Sequence, residues 1–249
     1  MKRLFIYILF AALMLLRCSV DPGDNNRFRA YLASEHFGIH FYEEDFTIYE
    51  IHTFLEKKER LLEHINGSLN VDFDGFIQVY TTESRSYANN CPGELKIFES
   101  KSYLRNDEGH EIIHVVVFDE LGYSRVSFLN EGLAESIQLE LHHFNAIERF
   151  ADYCRNRDST CATSWPEESV SIRTQILQES IFLDYYEYQR AGAFIKYLSL
   201  EYGIEKVKDF YRKSVYRHGS DLVDEFENIF GITITEAEED FWRRFNVCT

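Results

Sequence analysis

The chain has 249 residues, of which 45% are hydrophobic, 16% aromatic and 27% charged, a composition typical of a globular protein. It holds 26 Lys and Arg against 42 Asp and Glu, which gives a formal net charge of -16. So acidic a surface repels phosphate backbones and anionic lipid headgroups. The charge therefore argues against nucleic acid as a partner and against a polybasic membrane-surface protein.

The first 18 residues are typical of an export signal. Lys2 and Arg3 precede an unbroken apolar run from Leu4 to Leu16, which is too short for a comfortable membrane span. This segment contains three basic residues and no acidic one, so its removal would leave 23 basic against 42 acidic residues, a net charge of -19.

Cys18 directly follows the apolar run, with Leu15 three positions before it. This pattern resembles the lipobox of bacterial lipoproteins, in which the cysteine becomes the lipidated first residue. Arg17 departs from the pattern, because the position before the cysteine is usually small. We expect export to the bacterial cell envelope and a membrane anchor through lipid on Cys18, with ordinary signal cleavage or an uncleaved anchor as alternatives. Residues 19–27 are polar and read as a tether to a domain over residues 28–249.

Four further cysteines follow, and an exported protein can form disulfides. Cys154 and Cys161 flank a short polar loop, which favours a local disulfide and leaves Cys91 to pair with Cys248. Three connectivities are formally open, and buried free thiols are the alternative.

Residue periodicity predicts an N-terminal α/β part over about residues 28–105 and a helical part over about residues 106–249. Strand patterns lie around Gly38–Tyr42, Phe76–Thr82 and Leu95–Leu104, and a helix is predicted from about Ile48 to Asn66. The helical part has breaks near Arg155–Pro166, Gly203, Arg217–Ser220 and Gly231–Thr235. A small sheet followed by a helical lobe is an α+β fold.

His110-Glu111-Ile112-Ile113-His114 is an H-E-x-x-H pentapeptide. On a helix its histidines are about 40° apart around the axis and about 6 Å apart along it, so both can bind one zinc ion. Glu111 lies on the same side and can reach a water on the metal. Asn106 or Asp107 is expected to cap the helix. The β-branched residues of this segment suit a strand equally well, and a strand would point Glu111 away from both histidines.

A second motif begins sixteen residues after His114, at Asn130-Glu131-Gly132. Glu131, in the first turn of a second helix, is placed to be the third ligand of a single zinc, with a fourth position open. Glu135 shares its helix face and could accept a hydrogen bond from a ligating histidine. The alternative is that both glutamates form a solvated helix face.

The sequence resembles gluzincin metallopeptidases, and most closely the Peptidase MA-like domain of bacterial secreted proteins, over about residues 75–246. The resemblance rests on HEIIH at 110–114, LNEGLAES at 129–136, YQRAGAFIKYLSLEYGIEKV at 188–207 and FWRRF at 241–245. It implies a gluzincin-like α+β fold, Glu131 as third zinc ligand, and Glu135 as support for a histidine.

The resemblance also implies peptide-bond hydrolysis, in which Glu111 takes a proton from the attacking water and an oxyanion donor comes from the helical lobe. It points to Tyr188 as that donor, with Tyr185, Tyr186 and His218 as competitors. The strand around Lys96–Tyr103 could pair with an extended substrate along its edge.

We therefore expect a zinc metallopeptidase, anchored at the envelope, that acts on peptides or proteins. The alternatives are a non-catalytic envelope lipoprotein on the same scaffold, serving binding or assembly, and a glycan-binding surface module. An intact Glu111 favours the enzyme, and the sequence leaves the oligomeric state open.

Overall fold

The structure is a computed structural model that describes most of the chain from residue 30 onward. The described residues are 30–83, 86–88, 95–106, 109–142, 144–157, 170–178, 183 and 185–244, without the side chains at 153, 155–157 and 185. The predicted signal, tether and lipidated Cys18 lie outside this range, as do Cys91, Cys161 and Cys248. Both predicted disulfides therefore involve residues outside the described part.

The described residues form two compact units, one over residues 30–57 and 75–106, the other over 58–74 and 109–244. Helix α1, Ile48–Leu69, contributes to both units. The architecture is α+β, as predicted.

The first unit is built on a five-stranded mixed sheet. Its strands are β1 (Ala30–Ala33), β2 (Phe37–Phe41), β3 (Ile77–Thr82), β4 (Tyr87–Ala88) and β5 (Lys96–Ser100), in the order β1-β2-β3-β5-β4. The pairs β2–β3 and β3–β5 are parallel, and both outer pairs are antiparallel. Successive side chains of a strand lie on opposite faces of the sheet, and one face is buried. The buried face carries Phe37, Ile39, Phe41, Ile77, Val79 and Ile97.

The strand predicted over Leu95–Leu104 is too long. Strand β5 ends at Ser100, and Lys101–Asn106 forms helix α2. The Ser100 hydroxyl accepts a hydrogen bond from the Tyr103 amide at 3.3 Å, as a helix-capping residue does. Strand β5 is also not an edge, because Ile97 and Phe98 pair with β3 on one side and with β4 on the other. Among the described strands β4 is the edge on that side, so Ile97 and Phe98 already have a partner there, and the substrate-pairing prediction for β5 stays a prediction.

The second unit contains the remaining helices. They are α3 (His110–Leu121), α4 (Ser127–Leu141), α5 (Ala146–Arg157), α6 (Ile172–Leu177), α7 (Tyr185–Tyr202), α8 (Ile204–Ser214), α9 (Gly219–Phe230) and α10 (Ile234–Arg244). Gly203 and Gly231 have positive φ and separate consecutive helices at predicted breaks. None of the helices in the described ranges combines the length and apolar character that a membrane crossing requires.

Helix α7 lies at the centre of this unit and packs most extensively against α4. Ala191, Ala193 and Phe194 are fully buried in its middle. The Phe194 ring meets Phe241 of α10 at 5.6 Å in an edge-on arrangement, which ties the last helix to the core.

Candidate metal centre

The HEIIH segment forms the first turns of helix α3, as the helical interpretation predicts. Its apolar residues are buried on nearly the whole circumference, including Ile112, Ile113 and Val116 at 0% exposure. Burial therefore outweighs the strand preference of these β-branched side chains.

The start of α3 differs from the prediction. Gly109 occupies the N-cap position with φ 72°, and this residue has no side chain that could cap the helix. Asn106 lies inside α2, and Asp107 lies outside the described residues. The left-handed backbone at Gly109 lets the chain turn into the helix immediately before His110, and a side chain would be strained there.

Helix α4 brings Glu131 to the two histidines. The Nε2 atoms of His110 and His114 are 3.1 Å apart, and Glu131 Oε2 lies 3.1 Å from the first and 3.2 Å from the second. These three atoms form a nearly equilateral triangle. Helix α4 begins at Ser127, so Glu131 lies in its second turn. The prediction that Glu131 lies in the first turn of this helix is wrong.

The triangle fits a zinc ion in size and chemistry. Ligand atoms about 2.0–2.1 Å from a tetrahedral zinc are about 3.3–3.4 Å apart, close to the observed edges. His110, His114 and Glu131 retain 14%, 10% and 21% of their side-chain exposure, so the group is largely buried yet reachable. Two imidazoles and one carboxylate form a ligand set that leaves a fourth position open for a water or a substrate.

The charges of these groups are strongly coupled. Burial alone would lower the pKa of His110, but the hydrogen bond to Glu131 and the Glu111 carboxylate raise it to about 9. Burial would raise the pKa of Glu131, yet the bonds from His110 and His114 hold it well below its ordinary range. The convergence of two ring nitrogens on one carboxylate oxygen thus creates a buried position that favours a cation.

Gln138, which the sequence analysis did not single out, orients His110. Its Oε1 lies 2.8 Å from His110 Nδ1, so the ring donates from Nδ1 and leaves Nε2 free to bind metal. Gln138 follows Glu131 by seven residues, about two helical turns, which places both on one face of α4. That spacing was the signal available in the sequence. The Nδ1 atom of His114 is buried without a hydrogen-bond partner among the described residues.

Glu135 does not have the predicted contact. Its carboxylate accepts a hydrogen bond from the Gln189 amide of α7 and bonds to neither histidine. Burial raises its pKa, although His110 and Gln189 act in the opposite direction. Gly192 of α7 lies against the Glu135 side chain, where a Cβ would be 2.8 Å from Glu135 Cγ. This packing turns Glu135 toward α7.

Other predicted residues lie around the triad formed by His110, His114 and Glu131. Glu111 is buried at 9% exposure, and its charge acts on His110. The ring of Tyr188 in α7 lies 6.5 Å from the ring of His110. Tyr186 is buried with its ring 5.6 Å from Phe150, which makes it a core residue.

Two competitors of Tyr188 remain. The Tyr185 side chain lies outside the described part, and His218 occupies the N-cap position of α9.

Solved structures share the fold, whereas the sequence matches no family model and no curated protein. An M1 zinc metallopeptidase from Deinococcus radiodurans aligns with a TM-score of 0.52 at 15% identity, over 88% of this chain and 51% of that one. A structure of that enzyme as a mutant bound to a Tyr-Ser-Ala substrate aligns at 0.52 and 17% identity, over 89% and 52%. The fold is gluzincin-like.

A third similar structure, native yeast LTA4 hydrolase, has a TM-score of 0.52 at 10% identity, over 87% of this chain and 38% of that one. This chain thus spans about half the length of the Deinococcus enzyme, at 51%, and less of the yeast one. The comparison shows a shared fold, and the candidate metal centre occupies the second of the two units.

Proposed function

We propose that this chain is a zinc-dependent metallopeptidase, resembling the Peptidase MA-like group, that hydrolyses peptide bonds in peptides or proteins. The observation that carries the proposal is the convergence of His110, His114 and Glu131, whose ligand atoms lie 3.1–3.2 Å apart. A peptide as substrate agrees with the Tyr-Ser-Ala substrate in a structure of similar fold.

The roles of the surrounding residues follow from their chemistry. Zinc bound by these three side chains would polarise the scissile carbonyl and lower the pKa of water. Glu111 lies next to the first histidine in sequence and takes the proton of the attacking water, then delivers it to the leaving amine. Tyr188 donates its hydroxyl proton in a hydrogen bond to the oxygen on which negative charge develops. Gln138 fixes the His110 ring in the orientation that this chemistry needs.

The proposal includes export and a lipid anchor at the bacterial cell envelope. Its support is the basic and apolar run of residues 1–18 and the position of Cys18. Mass spectrometry of the mature N-terminus tests the anchor, since a diacylated or triacylated cysteine is expected there. Peptide mapping without reduction tests the proposed disulfide between Cys154 and Cys161.

Hydrolysis is tested with a peptide library and the variant Glu111→Gln. The amide has nearly the same shape as the carboxylate but cannot accept a proton, so zinc content should persist while turnover falls to a trace. Glu120→Gln is the matched control, because it makes the same change on the same helix. Nine residues separate the two sites, which places them about 13 Å apart along the axis and on opposite sides of α3.

Three measured quantities separate the proposal from its alternative. We expect one zinc per chain by elemental analysis, cleavage that a chelator abolishes, and activity in Glu120→Gln but not in Glu111→Gln. Zinc at full occupancy without cleavage of any library member would instead indicate the non-catalytic envelope lipoprotein. Zinc content unchanged in His114→Ala and Glu131→Ala would show that the metal site lies elsewhere.

A further inference from the structure

Residues 122–126, between α3 and α4, determine where Glu131 lies relative to the two histidines. Helix α3 carries His110 and His114, helix α4 carries Glu131, and only this short segment joins the helices. A group that holds this segment and the first turns of α4 in place therefore sets the position of Glu131 without contacting the metal.

Helix α8 supplies two hydrogen bonds to this region. The Tyr211 hydroxyl donates to Asn130 Oδ1 at 2.8 Å, and Asn130 directly precedes Glu131 in the chain. Three residues later along α8, the Ser214 hydroxyl donates to the Tyr211 carbonyl oxygen, and its oxygen accepts a hydrogen bond from the Ser124 hydroxyl at 2.7 Å. The two bonds thus hold the connection and the start of α4 from the same helix.

Packing reinforces these bonds. Ser124 Oγ also accepts from the Val126 amide at 3.2 Å, immediately before α4 begins. Val215, directly after α8, lies against Gly122, where a Cβ would be 3.0 Å from Val215 Cγ2. Gly122 has φ 93°, so the chain leaves α3 by a turn that a larger residue would strain.

The three side chains whose hydroxyl groups form these hydrogen bonds are buried. Tyr211, Ser124 and Ser214 are 2%, 1% and 0% exposed, so water does not replace a lost partner. A buried donor without an acceptor costs free energy, and each hydroxyl therefore holds its partner in one arrangement.

We propose that Tyr211 is a positioning residue of the metal site, which acts through Asn130 to hold Glu131 where its carboxylate meets both histidines. The inference rests on the proposed zinc function. Among the described residues the Tyr211 hydroxyl bonds to Asn130 and not to a ligand atom, and its effect is the preorganisation of the ligand set.

The test compares zinc affinity in wild type and Tyr211→Phe by competition with a chromophoric chelator. Loss of a group that orients a ligand weakens metal binding by about 10- to 100-fold, and we expect this range. The visible spectrum of the cobalt-substituted protein should change as well, because it reports the geometry of the ligands.

Tyr197→Phe is the matched control. Tyr197 is fully buried in α7, and its hydroxyl donates to Asp240 Oδ2 at 2.8 Å, the same distance as in the Tyr211 bond. Both variants lose the hydroxyl of a buried tyrosine and its hydrogen bonding, so the urea midpoints of the metal-free proteins should both fall. Only Tyr211→Phe should change zinc affinity and the cobalt spectrum.

A double-mutant cycle with Asn130→Ala tests whether Tyr211 acts on zinc binding through Asn130. If Tyr211 acts through Asn130, the double variant should bind zinc about as weakly as the weaker single variant. Asn130→Ala also serves as the independent variant if Tyr211→Phe does not fold. Zinc affinity unchanged in either foldable variant, additive losses, or an equal loss in Tyr197→Phe would overturn the inference. A wild type that binds no zinc would instead refute the proposed function.

Discussion

Gly132 of α4 and Gly192 of α7 allow these two helices to touch at backbone distance beside the metal centre. A Cβ at Gly132 would lie 2.9 Å from the Ala191 carbonyl oxygen and 3.0 Å from Ile195 Cγ1. The side-chain atom can move away, but the carbonyl belongs to the backbone of α7. Gly132→Ala therefore requires the two helices to separate.

The magnitude follows from two opposing effects. Forcing an additional methyl group into a packed interior costs about 1–3 kcal/mol. Alanine recovers about 1 kcal/mol of helix propensity relative to glycine. The difference is a fall of up to about 2 kcal/mol in the free energy of unfolding of Gly132→Ala. We expect zinc affinity to fall with it, because Glu131 is the neighbouring residue.

Gly67→Ala provides the matched control. Gly67 is exposed near the end of α1, and no atom lies within 4 Å of a Cβ built there. The same substitution should therefore stabilise the protein, by about 0.5 kcal/mol. Urea denaturation of the chelator-treated proteins, monitored by circular dichroism, measures the change in the free energy of unfolding for each variant. A Gly132→Ala variant as stable as Gly67→Ala would refute the close crossing of α4 and α7.

Three further predictions concern the site and its surroundings. Gln138→Ala should weaken zinc binding by about 10- to 100-fold in a chelator competition, and unchanged affinity would remove its role for His110. Tyr188→Phe should keep its zinc but lose about 10²- to 10³-fold in turnover, and full activity would exclude it as the oxyanion donor. Burial raises the pKa of Glu238 to about 7, so its ionised form is disfavoured in the folded protein. Wild type should accordingly lose up to about 3 kcal/mol of stability as pH rises from 4.5 through 7, whereas Glu238→Gln, with no titratable group, should not. Parallel stability-pH curves for the two would contradict that assignment.

The convergence of His110, His114 and Glu131 could be predicted from the sequence because it depends on spacing within helices. The spacing of four positions from His110 to His114 fixes their relation on α3, and the order of the two motifs places Glu131 on the next helix. The contacts of Gly192 with Glu135 show that small residues of α7 permit a close approach to α4.

The parts that could not be predicted depend on contacts between distant elements. Glu135 and Gln138 both lie on the Glu131 face of α4, and only the position of Gln189 in α7 decides that Glu135 turns away. The end of β5 at Ser100 and its pairing on both sides arise from β3 and β4, which no local pattern of Lys96–Leu104 reveals.

The burial of α3 on nearly all sides has a consequence for the unfolded chain. Apart from His114, Ile112–Phe118 is an apolar, mostly β-branched run without proline or glycine, the composition from which amyloid-like cross-β pairing forms. Packing keeps this run helical in the folded protein, so a variant that loosens the second unit exposes an aggregation-prone segment at the metal site itself. Asp119 and Glu120 follow the run directly and supply the charges that limit such pairing. Loss of metal-site packing should thus appear as aggregation as well as lost activity.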